Sequence, residues 1–147
     1  MKTTHMASSM LQQAELRLKA AAMGIKSKGY AYAVRSSQEC VELSLKAALR
    51  LVGVEYPKKH DVSRVLLLAK KRFPNWFRVE NFAKVSRALA EMREPAMYGD
   101  ELRFVPSTEL FTSEHAAKAL TEANEVYRAC SRLLKESKKR RLSSKEI

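Results

Sequence analysis

The chain has 147 residues, 46% hydrophobic and 30% charged, which suits one domain with its own core and excludes a disordered chain. Its 28 lysines and arginines against 16 aspartates and glutamates give a net charge of +12, which points to polyanionic partners such as RNA, DNA, nucleotides or an acidic protein. Four glycines and four prolines are too few turn residues for an all-β domain of this size.

Residues 1–10 are polar, without the apolar stretch of a signal peptide, and are expected to be disordered or tag-like. The first helix is predicted from about Ser9 to Met23. Leu11, Ala14, Leu18, Ala21 and Ile25 share one of its faces, and Gly24 is placed as its C-cap. The second is predicted from about Lys28 to Val52, with Val34, Val41, Leu45, Ala48 and Val52 on one side. Ser37 and Ser44, small residues on or near that side, allow a close helix–helix approach. Gly53 and Pro57 follow it. A third helix is predicted to start at Asp61, a good N-cap, and to stop at Pro74, with Val62, Val65, Leu66, Ala69 and Phe73 as its stripe. A fourth is predicted from Arg78 to Met92, followed by a loop from Arg93 to Leu110 marked by Pro95 and Gly99. Thr112 is placed as the N-cap of the last helix, with Glu114 at the positive end of its dipole. The repeat Ala116, Leu120, Ala123, Tyr127, Cys130, Leu134 carries that helix to about Lys135. The fold class is therefore all-α, an antiparallel up-and-down bundle of four to five helices over residues 11–135. A basic flexible tail is expected over 136–147. Residues 135–147 hold six Lys+Arg and two Glu, a net four positive charges of the total.

Cys40 and Cys130 stand ninety residues apart among apolar neighbours and outside any CxxC pair, so they read as free buried thiols of a reducing cytoplasm. His5, His60 and His115 are scattered without ligand spacing, so neither a metal nor another cofactor is expected. No apolar run reaches the ~18 residues of a membrane span, and a cytoplasmic protein is expected. Phe73, Trp76 and Phe77 lie beside Lys70, Lys71, Arg72 and Arg78. Aromatics among cations can stack on single-stranded RNA, but large rings more often plug the end of a bundle, and that reading is preferred.

Two short segments carry candidate binding residues. Glu42 and Lys46 sit four apart, the orientation of a helical ion pair. The turn Gly53-Val54-Glu55-Tyr56-Pro57-Lys58-Lys59-His60-Asp61 sets two lysines and a histidine directly before a helix start, where cations join free N–H groups and suit a phosphate or carboxylate. The alternative is that His60 packs locally while Lys58 and Lys59 stay in water.

The run from Ser36 through Gln38-Glu39-Cys40-Val41-Glu42-Leu43-Ser44-Leu45-Lys46-Ala47-Ala48-Leu49, then Gly53, then Tyr56-Pro57-Lys58-Lys59-His60-Asp61-Val62, resembles a HEPN domain, named as a nucleotide-binding domain of higher eukaryotes and prokaryotes. Phe111 to Ala117, leading to Ala123-Asn124-Glu125-Val126, is similar to that family's last helix, and the likeness spans roughly Leu11 to Leu134. The resemblance implies a bundle of four or five helices that commonly dimerises. Many members are ribonucleases or toxins, in which an Arg and a His four to six residues later face each other across a dimer cleft. There the Arg stabilises phosphate charge and the His assists proton transfer.

This sequence departs from that pattern. Arg93 is followed after four residues by Tyr98, not His. A phenol holds its proton at neutral pH and is a poor base, although it donates a hydrogen bond to phosphate. The alternative is that Tyr98 packs the loop onto the bundle. The expectation is a homodimeric HEPN-type protein that binds a nucleotide or nucleic-acid phosphate. Arg93 and Tyr98 occupy the catalytic positions, and Lys46, Lys58, Lys59 and His60 serve binding. Two alternatives remain. One is a metal-independent endoribonuclease, the toxin half of a pair with a small nucleotidyltransferase. The other is a non-catalytic protein-interaction module.

Overall fold

The computed structural model describes the backbone of residues 2–146 and the side chains of residues 2–142. Its helices are α1 (Lys2–Lys26), α2 (Tyr30–Leu51), α3 (Ser63–Leu68), α4 (Val79–Tyr98), α5 (Ser107–Leu110) and α6 (Ser113–Glu146), with a 3-10 turn at Lys70–Arg72 after α3. The four long helices alternate up and down. Thr4 and Glu15 of α1 meet Arg141 and Tyr127 of α6, so these two run antiparallel. Arg93 of α4 meets Gln38 of α2, while α2 and α6 run parallel, with Cys40 against the Ala123 carbonyl.

Helices two apart in such an order would lie diagonally across the core, yet α2 and α6 touch directly. Residue size is the reason. Ser37, Cys40, Ser44 and Ala48 on α2, and Ala116, Ala119, Ala123 and Cys130 on α6, are all buried, and small side chains let the helix axes approach. Ser37 and Ser44 thus serve contacts inside the chain. Leu45, Leu49, Leu66, Phe82, Leu89, Val126 and Leu133 fill the remaining space. Burying one such side chain is worth about 1.5–3 kcal/mol.

Several boundaries differ from the sequence expectation. α1 starts at Lys2 rather than near Ser9, because Ala7, fully buried, extends the repeat of Leu11 and Ala14 by one turn. Residues 2–10 are therefore helix, not a disordered leader. Gly24 lies within α1 rather than after it. A Cβ there would come within 3.2 Å of the Gly29 carbonyl and of the Tyr32 ring, so it is a point of close approach to α2. α3 is shorter than expected and tightens into the 3-10 turn before Pro74. Its N-cap is Val62 rather than Asp61, which lies one residue earlier and whose Oδ1 accepts the Ser63 N–H at 2.8 Å. α4 runs through Pro95 to Tyr98. The ring removes only a bond to the carbonyl of Glu91, an exposed residue whose oxygen water can serve. α4 ends at Gly99, whose φ of +77° suits glycine and where a Cβ would stand 2.3 Å from the Val105 carbonyl. Arg93 and Tyr98 consequently sit on a helix, not in a loop. α6 continues well past Lys135, so the tail expected to be flexible is helical as far as Glu146; the side chains of Ser143 and Ser144 lie outside the described residues. Thr112 and His115 cap its start reciprocally, the Thr112 N–H donating to His115 Nδ1 at 3.0 Å and the His115 N–H to Thr112 Oγ1 at 3.3 Å.

The aromatics between α3 and α4 close one end of the bundle. Phe73 and Phe77 are buried and stacked at 4.6 Å, Phe82 meets Phe77 edge-on at 5.1 Å, and Arg132 covers Trp76 at 3.9 Å. Both cysteines are free and buried. Burial pushes the Cys40 thiol up to about 12 and the Cys130 thiol well above its ordinary value, so neither is a thiolate at neutral pH.

Candidate anion-binding site

Along one side of α2, half-buried charged residues recur at helical steps: Arg35, Glu39, Glu42, Lys46 and Arg50. α4 brings Arg93 onto this stripe from across the groove. Its Nη1 donates to Gln38 Oε1 at 2.8 Å and to Glu39 Oε2 at 3.1 Å. The Glu39 carboxylate is shared further. Arg17 of α1 donates to Oε1 at 3.0 Å, and Arg35 lies 3.5 Å from Oε2. Three guanidiniums therefore surround one carboxylate. Their side chains keep 39%, 33% and 24% of their surface for Arg17, Arg35 and Arg93, so the cluster is open to a ligand.

Gln38 hands the network on to Glu42, donating from Nε2 to Oε1 at 3.0 Å. Lys46 Nζ donates to Glu42 Oε2 and His60 Nδ1 to Oε1, both at 2.8 Å. Burial raises the pKa of the Glu42 carboxyl. The hydrogen bonds from Lys46, Gln38 and His60, with the Lys46 charge, outweigh it and hold the group below its ordinary value. Beyond this point Tyr56 takes Lys46 and Arg50 against its ring, at 5.3 and 5.4 Å from the centroid.

The structure thus brings together Arg93, His60 and Lys46, through Gln38 and Glu42. Lys58 and Lys59 are placed on the turn before His60 and form no ion pair among the described residues. Tyr98 stands apart. It is 61% exposed at the end of α4 and lines a hollow with Asp100, Glu101 and Phe104. Five residues of α-helix turn it about 140° from Arg93 around the axis, onto another side of α4. Arg17, Arg35 and Gln38 are site residues that the sequence reading missed. The periodic charges of α2 were a usable signal for Arg35, but nothing local marks Arg17, which arrives from another helix. Among the described residues no three or more His, Cys, Asp or Glu side chains converge as a metal site, and no helix is long and apolar enough to cross a membrane.

Comparison with known proteins places this geometry in context. The HEPN domain family model matches residues 7–136. No curated protein matches the chain. Among solved structures, the chain is similar to TT1696 from Thermus thermophilus, with a TM-score of 0.72 and 24% identity over 86% of this chain and 97% of that one. It is also similar to ST0689, an archaeal HEPN homologue, with a TM-score of 0.68 and 20% identity over 87% and 97% of the two chains. At these identities the two structures establish the shared fold, and the family match over most of the length establishes descent: the chain belongs to the HEPN domain family.

Proposed function

We propose that the protein binds the phosphate of a nucleotide or of RNA in the cytoplasm, as a homodimer, with Arg93 as the central phosphate cation. The observation that carries this reading is the sharing of Glu39 by Arg17, Arg35 and Arg93. One carboxylate accepts hydrogen bonds from Arg17 and Arg93 and lies 3.5 Å from Arg35, whose Nε has no hydrogen-bond partner among the described residues, and two positive charges remain uncompensated at a partly exposed surface. Guanidiniums held in place lose little entropy on meeting a phosphate and offer paired donors to its oxygens. Lys58 and Lys59 extend the positive surface along the adjoining turn beside His60, and Lys46 fixes Glu42 beneath it.

Fluorescence anisotropy with a labelled single-stranded RNA tests the reading. Arg93→Ala leaves Glu39 paired with two arginines, so the fold is retained, while affinity falls about ten- to a hundredfold, the worth of a charge-assisted bond. Lys58→Ala and Lys59→Ala each flatten the log–log salt dependence by roughly 0.7 if they meet one phosphate. Affinity unchanged by all three substitutions would end this proposal.

A second reading, metal-independent RNA cleavage by a toxin-like protein with a nucleotidyltransferase partner, draws support from the unbroken chain Arg93–Gln38–Glu42–His60. A carboxylate-oriented imidazole is suited to proton transfer, and Arg93 to phosphate charge. The expected outcome is nonetheless that the wild-type protein binds RNA without cleaving it in EDTA, because the position that follows Arg93 after four residues holds a phenol. Cleavage gained in Tyr98→His supports this. Robust cleavage by the wild-type protein, lost in Arg93→Ala, would replace phosphate binding by the ribonuclease reading.

A further inference from the structure

The connection from α4 to α5 is a pinned hairpin. The Asp100 N–H donates to the Val105 carbonyl at 2.8 Å, and the Val105 N–H to the Asp100 carbonyl at 3.0 Å. Together with the end of α4, this hairpin borders a hollow of about 400 Å³. The rings of Tyr98 and Phe104, both exposed, line it with Val105 and Pro106, and its charged lining residues are Asp100 and Glu101. That sign runs against the rest of the chain. Residues 94–117 hold five acids and one arginine, a net four negative charges in a chain of net charge +12. The arginine is Arg103, and it does not line the hollow. Its side chain is 84% exposed, with Nε 3.8 Å from Asp100 Oδ2, a pair that water screens. Glu101 forms no ion pair among the described residues.

We propose that this hollow receives an arginine side chain from an exposed segment of a partner protein, the guanidinium stacked on Tyr98 and Phe104 and hydrogen-bonded to Glu101 and Asp100. Charge and shape both select this occupant. An aromatic face attracts a cation, and a planar guanidinium stacks on it as a compact ammonium cannot. Carboxylates beside the rings add charge-assisted bonds to the same group. An anion meets two like charges here, and an uncharged apolar group would desolvate both carboxylates without pairing them. The volume lies at the small end of the roughly 300–1,000 Å³ that ligand sites occupy, which suits one long side chain. Leu102, exposed at the hairpin tip, carries apolar surface beyond the hollow, so a peptide segment fits better than a free cation. The hollow lies on another side of α4 from Arg93, and its ligand has the opposite charge, so this binding is independent of the Glu39 cluster.

A chemical-shift titration of the isotope-labelled full chain with the end-blocked peptide Gly-Arg-Leu-Gly tests it. A chain this basic repels a cationic peptide elsewhere, so saturable shifts are expected at the amides of Tyr98 to Val105. Tyr98→Ala and Glu101→Gln each weaken the binding by about fivefold or more, the worth of a cation–π contact or a charge-assisted bond. Gly-Lys-Leu-Gly binds about fivefold more weakly than the arginine peptide, because an ammonium does not stack. Glu91→Gln, the same charge change at an exposed position of α4, leaves the affinity unchanged. Tyr98 and Glu101 are both exposed, so neither substitution opens the core, and the thermal midpoint checks this. The inference is overturned if the peptide does not bind, if the shifts fall elsewhere, if either Tyr98→Ala or Glu101→Gln leaves the affinity unchanged, if Glu91→Gln weakens it equally, or if the lysine peptide binds as tightly. If those two substitutions spare peptide binding yet lower the mass seen by light scattering, a second copy covers the hollow and the inference falls.

Discussion

The carboxylate of Glu42 accepts from three side chains of different character: an ammonium, an amide and an imidazole. Its pKa is lowered from the ordinary 4.5, the hydrogen bonds outweighing burial, so ionisation of this group favours the folded state. That stability is present above the unfolded value and is lost as pH falls through the lower, folded value. Replacing Glu42 by Gln keeps the shape and removes the titration. The expected outcome is that the wild-type protein loses more stability than Glu42→Gln as pH falls from neutrality through 4.5 and below. Urea midpoints measured across that range check this, and parallel profiles would show that Glu42 carries no linked stability.

At the scale of elements, α6 combines two roles. Its first two-thirds bury Ala116, Ala123, Val126, Cys130 and Leu133 in the core, while its end presents Arg140 and Arg141 beside α1. A truncation after Ser137 separates the roles. It retains every residue of α6 that is buried among the described residues and removes five cations and one acid, a net four positive charges. The truncated chain should keep its helical circular dichroism and cooperative melting. Its RNA affinity should fall, with the salt dependence flattened by roughly 0.7 for each phosphate no longer bound. A slope equal to that of the full chain would show that the end of α6 takes no part in RNA binding.

At the scale of the whole molecule, Ser37 and Ser44 no longer argue for a dimer, because both are buried inside one chain. What argues for it is family membership together with apolar side chains that one copy leaves in water: Leu68 at 80% exposure, Leu102 at 93% and Phe104 at 91%. Phe104 also holds a positive φ of 58°, an unfavourable conformation for an aromatic residue that offers it no packing in return. Light scattering at micromolar concentration should give twice the 16.7 kDa of the chain, and Phe104→Asp or Leu68→Asp should lower the mass. A monomer mass for the wild-type protein would remove the homodimer from the functional proposal.

The all-α class, the long helices and most buried positions were legible in the sequence, because they rest on local periodicity: Leu45 and Val41, or Ala123 and Cys130, recur at helical steps wherever the helix finally lies. The capping role of Thr112 was legible for the same reason, since a cap acts within three residues. The Glu42–Lys46 pair was readable as well, being local to one helix. The length of α1, the passage of α4 through Pro95 and the continuation of α6 were not, because each depends on contacts with residues distant in the chain. The same holds for the site. Arg17, Arg35 and Arg93 meet at Glu39 only when α1 and α4 flank α2, and Arg72 reaches Arg140 and Arg141 only across the end of the bundle. Sequence alone determined which helices form and which faces they bury, as these follow from residues within one or two turns. Tertiary structure alone decided which charges share a carboxylate and which stand unpaired, because that depends on distances between helices that no spacing along the chain encodes.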